Sequence, residues 1–139
     1  MTKRKINNNI LEIYDEKNTL LLSVREETEN DTLIFTLSGI IQNDTTYELT
    51  DEVMAALSIC RNSVCNNPTC DRKAYHNFIF DLSGITYISN SALHAFLNFQ
   101  NVIDELDNAH MALINPSDAV LNQINDTGYD EILDIRIAE

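Results

Sequence analysis

A chain of 139 residues, 44% of them hydrophobic, has the length and composition of one globular domain with a single core, which excludes overall disorder. Against 22 aspartates and glutamates stand 9 lysines and arginines, a net charge of −13, so the surface repels nucleic acid and anionic membranes and favours a partner with a basic face. Basic residues are missing between Ala74 and Ile135 and no G-x-x-x-x-G-K-[ST] occurs, which counts against a nucleotide-hydrolysing enzyme.

The apolar runs, such as TLLLSV and NFIFDL, fall far short of the roughly 20 residues needed to span a bilayer. The basic start, MTKRKINNN, has no apolar stretch of a secretory signal behind it, so a cytoplasmic protein is expected. Residues 1–18 are polar and Asn-rich and read as a loosely structured extension, with the domain proper over 19–139. Leu20–Val24 and Thr32–Gly39 read as strands of an antiparallel hairpin, with EETEND as its turn. A helix follows, for which Thr45 and Glu48 suggest a reciprocal capping box and Leu49, Val53, Ala56 and Leu57 an apolar stripe.

Residues 61–76, rich in Asn, Cys and Pro, read as a loop insertion. Cys60, Cys65 and Cys70 match no zinc spacing, and an odd count argues against a disulfide framework, so free thiols are expected and no metal or cofactor is called for. NFIFDL and HMALIN are buried strands of the parallel kind. Between them runs a helix with Leu93, Phe96, Leu97, Ile103 and Leu106 on one face. Asn115 and Pro116 suggest the N-cap and first position of a third helix, with Val120, Leu121 and Ile124 inside and Gly128 ending it, before a last strand, EILDI. The order β-β-α-β-α-β-α-β predicts an α/β fold, a mixed sheet of four to five strands with helices mainly on one face.

Between the NFIFDL strand and the second helix lies the segment SGITYISNSA. Three small polar residues, Ser89, Asn90 and Ser91, stand where a helix presents unpaired amides and roughly half a unit of positive charge. A cap explains one of them. A phosphate carried on a serine there would meet the same amides and dipole, leave the host fold intact, and place an uncompensated dianion in any interface lacking a basic counterpart.

NFIFDLSGITYISNSALHAF resembles the strand, D-L-S-x-V turn and I-D-S-S-G-L helix start of the STAS domain family, and LINPSDAVLNQINDTGYDEIL resembles that family's following strand, Asn-Pro loop, helix and final strand. The resemblance covers about Leu20 to Ile135 and implies the fold and function of anti-sigma factor antagonists, stressosome subunits or the cytosolic tails of anion transporters. Ser89 stands in place of the family's Asp, Asn90 of its first Ser, Ser91 of its second and Ala92 of its Gly, while Gly39-Ile40-Ile41-Gln42 stands in place of G-E-x-D. In antagonists the second Ser is phosphorylated by a serine kinase of the anti-sigma factor type and restored by a metal-dependent serine phosphatase, so the resemblance implies Ser91 as phosphorylation site. It places partner contacts on Ser89, Asn90, Ser91 and Ala92 and on the adjoining Gly39, Gln42 and Asn43.

No triad or paired-carboxylate signature is present. His94 reads as a surface or half-buried residue, and His76 and His110 lack a nucleophile at any recognisable spacing. Asp81 reads as a turn cap, and Asp104, Glu105 and Asp107 as a solvated face. The expectation is a non-enzymatic regulatory module that binds a protein partner rather than nucleic acid or membrane and is switched at Ser91. The alternative is a scaffold or assembly subunit of the same fold in which Ser91 only caps its helix. A ligand- or lipid-binding enzyme on this fold finds no catalytic constellation to support it.

Overall fold

Alternation of side chains builds the centre of the sheet. In strand β4 (Thr32–Ile41), Leu33, Phe35 and Leu37 are buried while Thr32, Ile34 and Thr36 stay half-buried on the opposite face. Strand β5 (Asn77–Ile88) repeats the pattern with Phe78, Phe80 and Leu82 and runs parallel to β4. The computed structural model describes residues 2–7, 10–61, 76–105 and 109–136.

Strand β3 (Leu20–Glu29) pairs antiparallel with β4 through Asn30 and Asp31. The acidic segment expected as a turn is mostly strand, because Asn30 at φ 55° reverses the chain in two residues. Strand β6 (His110–Ile114) joins β5 and strand β7 (Ile135–Arg136) joins β6, both parallel. On the other side the sheet continues into strands β1 (Thr2–Asn7) and β2 (Ile10–Tyr14), giving seven strands in the order β1 to β7 rather than four to five. The stretch read as loosely structured therefore joins the sheet, and Leu11 and Ile13 anchor it by burying their side chains completely or nearly so.

Helices α1 (Asn43–Arg61), α2 (Asn90–Asp104) and α3 (Asp118–Thr127) connect the parallel strands. They bury Leu49 and Val53 from α1, Phe96, Phe99 and Ile103 from α2, and Val120 and Ile124 from α3 in one core with the inward strand residues. Helix α1 begins two residues before the expected cap. Thr45, at the third helical position, is buried, and its hydroxyl accepts the Gln42 N–H (2.9 Å) instead of capping from the front. Helix α3 begins two residues later than expected: Asn115 takes a left-handed φ of 52°, and Ser117 is the N-cap, its hydroxyl accepting from Val120 N–H and donating to the Ile85 carbonyl. Gly128 ends α3 at φ 78° as expected. The expected strand EILDI is instead a 3-10 turn (Tyr129–Glu131) leading to β7, with Leu133 buried between. Of the expected loop insertion only Arg61 and His76 are among the described residues; Cys60 falls in the last turn of α1, and Cys65, Cys70, Leu106 and Asp107 lie outside them.

A polar clasp fastens β7. His110 Nε2 lies 2.6 Å from Asp134 Oδ2, which also accepts from Arg136 at 3.0 Å. Partial burial alone would raise the Asp134 carboxyl, but the hydrogen bonds and charges of His110 and Arg136 outweigh it and hold it below the ordinary value of 3.8. A depressed carboxyl stabilises the fold above its unfolded value and loses that contribution as pH falls through the folded one. Asp134→Asn is accordingly expected to flatten the acid limb of a stability-versus-pH curve below about pH 4, read by chemical denaturation.

Candidate functional site

The C-terminal ends of β4 and β5 lie side by side, with Ile41 paired to Ile88. Just beyond, the Ser89 N–H donates to the Ile41 carbonyl at 2.9 Å. That one bond ties the start of α2 to the end of β4, from which α1 begins.

Within the cluster the three residues divide the work. Ser89 is the N-cap: it has extended backbone (φ −86°, ψ 165°), and its hydroxyl accepts the Ala92 N–H at 3.1 Å. A serine thus performs at this position the capping that an aspartate can perform. Asn90 is exposed, and its Oδ1 accepts from Gln123 of α3. Ser91 is exposed in the first turn, its Oγ 2.9 Å from Ser89 Oγ. Ser91 is therefore not the cap; Ser89 is. Replacing Ser89 by alanine is expected to cost about 1 kcal/mol in urea unfolding, and replacing Ser91 by alanine less than about 0.5 kcal/mol; equal costs would contradict this division.

One of the expected contact residues faces inward, and another is held within the sheet. Ala92 is completely buried, its methyl turned into the core, so its side chain cannot touch a partner, nor does the methyl obstruct the surface. Gly39 lies within the sheet, paired to Leu22 and Ile85, at φ 118°. A Cβ there would stand 2.1 Å from the Leu21 carbonyl oxygen, so close packing of the backbone accounts for the glycine. Asp81 caps the irregularity in β5 as expected, accepting the Ser83 N–H at 3.0 Å.

The sequence reading missed the neighbours of Ser91. Helices α1 and α2 enclose a groove of about 350 Å³ lined by Thr46, Tyr47 and Thr50 on one side and Ser91, His94 and Asn98 on the other. Tyr47 is 73% exposed. Leu20 and Tyr87, also exposed, stand at the same end of the sheet, Tyr87 two residues before the cap and Leu20 two residues before the partner of Gly39. The sequence carried a faint signal for Tyr47, an aromatic residue off the Leu49–Val53 stripe.

The architecture is a seven-stranded mixed sheet with three crossover helices and a serine-bearing turn at the carboxyl ends of its parallel strands. The chain belongs to the STAS domain family, whose profile matches residues 23–139. Its fold is similar to that of an anti-sigma factor antagonist from Mycobacterium paratuberculosis (TM-score 0.66, 14% identity, over 89% of this chain and 90% of that one). The Bacillus cell fate determinant SpoIIAA in its phosphorylated form is also similar (TM-score 0.59, 13% identity, 84% and 91%). So is a sulfate transporter family protein from Wolinella succinogenes (TM-score 0.55, 16% identity, 79% and 80%). No curated protein matches the chain. Among the described residues no helix is long and apolar enough to cross a membrane.

Proposed function

We propose that this protein is a non-enzymatic regulatory module of the anti-sigma factor antagonist type, acting in the cytoplasm and switched by phosphorylation of Ser91. The observation that carries the reading is the division of labour at the start of α2. Ser89 holds the helix, so the exposed Ser91 hydroxyl is available for modification without loss of the cap. The exposed Leu20, Tyr47 and Tyr87 at the same end supply apolar anchors for a protein partner.

The partner in this reading is a serine kinase of the anti-sigma factor class, with a serine phosphatase acting in the opposite direction. The kinase moves a phosphoryl group from a nucleoside triphosphate to Ser91 Oγ, and the hydroxyl proton leaves to the kinase. The phosphatase returns the group to water. A dianion there would have to be desolvated in the complex, which favours release. The similar Bacillus protein is known in a phosphorylated form, in keeping with such a site.

The test is to capture the partner with wild-type protein from the native host, purify it, and titrate it with variants. Ser91→Ala is expected to bind within a few-fold of wild type and Ser91→Asp on the order of 100-fold more weakly. Equal binding by both would overturn the switch.

A further inference from the structure

Thr46 is 9% exposed and its hydroxyl has no hydrogen-bond partner among the described residues, although it lines the groove that Ser91 borders. A buried hydroxyl without a partner costs stability, about 1–3 kcal/mol in mutational series. Helix α1 could have carried valine here at almost no change in shape or helical preference. Across the groove, His94 follows Ser91 at i+3, so the two side chains stand on one face of α2, about 5–6 Å apart at their Cβ atoms. Among the described residues that line the groove, it is the one that can carry positive charge.

The surroundings are otherwise acidic. Helix α1 carries Asp44, Glu48, Asp51 and Glu52 and α3 carries Asp118 and Asp126, and among the described residues lining the groove Tyr47 is the other titratable one. Lys17 lines a neighbouring hollow together with Asp44. A dianion on Ser91 in this field needs local donors or it swings into solvent.

We propose that the α1–α2 groove is an intramolecular cradle for a phosphate on Ser91, with the His94 imidazolium and the Thr46 hydroxyl as its donors. The proposal rests on the reading of Ser91 as the modified residue and specifies what modification does on this chain. The phosphate draws in beside Tyr47 and fills the groove, so one event both charges the surface and closes the hollow a partner side chain would enter.

The experiment uses full-length protein with phosphoserine installed at position 91 by genetic encoding, so it needs no kinase. Phosphorus-31 NMR from pH 5 to 8 follows the second ionisation of the phosphate, ordinarily near 6. In the wild-type background it is expected about half a unit lower than in His94→Gln, with Thr46→Val shifted in the same upward direction by less. The acids of α1 and α3 are common to all three proteins and cancel in the comparison. Amide spectra check that each variant is folded, and His94→Gln, a change at an exposed position, decides alone if Thr46→Val does not fold. Titration curves that coincide would overturn the cradle while leaving the switch untouched. Conversely, a shift found in the installed phosphoprotein, with Ser91 bare in protein from the native host, would support the cradle and count against the switch.

Discussion

Phe80→Ala is expected to lower the stability of the domain by about 4 kcal/mol, a large part of the 5–15 kcal/mol that holds a typical domain. Phe80 is fully buried at the centre of four rings. It stacks on Phe35 at 4.9 Å and on Phe99 at 5.8 Å, and meets Phe96 edge-on at 5.2 Å. Truncation removes the transfer free energy of one ring, leaves a cavity the rigid sheet cannot close, and breaks three aromatic pairs at once. Two of those partners are on α2, so the loss also loosens the helix that presents Ser91. Denaturant unfolding read by circular dichroism measures the effect. A cost below about 1.5 kcal/mol would mean that the rings are not packed as described.

Gly39→Ala is expected to cost at least about 3 kcal/mol, enough to lower soluble yield. The added Cβ would lie 2.1 Å from a backbone oxygen of the neighbouring strand, and φ 118° is a conformation that side-chain-bearing residues rarely adopt. Relief requires β3 and β4 to separate at the pair that leads into Ile41, whose carbonyl positions Ser89. Gly128→Ala is the internal comparison. That position is also left-handed, but nothing lies within 4 Å of the new methyl, so only the conformational penalty of about 1 kcal/mol applies. Similar costs at the two sites would remove steric collision as the reason for Gly39.

Where local chemistry decides structure, the sequence was legible. The apolar runs in β4, β5 and β6 and the Val120–Ile124 face of α3 read directly as strand and helix, and Gly128 marked its helix end. The STAS resemblance rested on the residues linking β5 to α2, and the family profile covers them. Choices made by tertiary contact were not legible. Any of Ser89, Asn90 and Ser91 could cap α2 by residue type; the bond from Ser89 N–H to the distant Ile41 carbonyl selects the first. Asn115 was read as the cap of α3, but the cap is Ser117, whose hydroxyl also engages the distant Ile85 carbonyl. The direction of the Ala92 methyl and the groove beside Ser91 depend on α1 lying against α2, which no window of sequence contains. Strands β1 and β2 were hidden by their lysines and asparagines, although Leu11 and Ile13 already had the spacing of one buried face.

The central claim is that Ser91 is a switch and Ser89 a cap. Intact-mass and peptide mass spectrometry on the protein purified from its native host, with and without phosphatase treatment and with partner-bound and free fractions separated, tests it most directly. The account predicts a single phosphate on Ser91, abundant in the free fraction and missing from the bound one. An unmodified Ser91 in every fraction and growth state, or a phosphate equally present in both fractions, would contradict it.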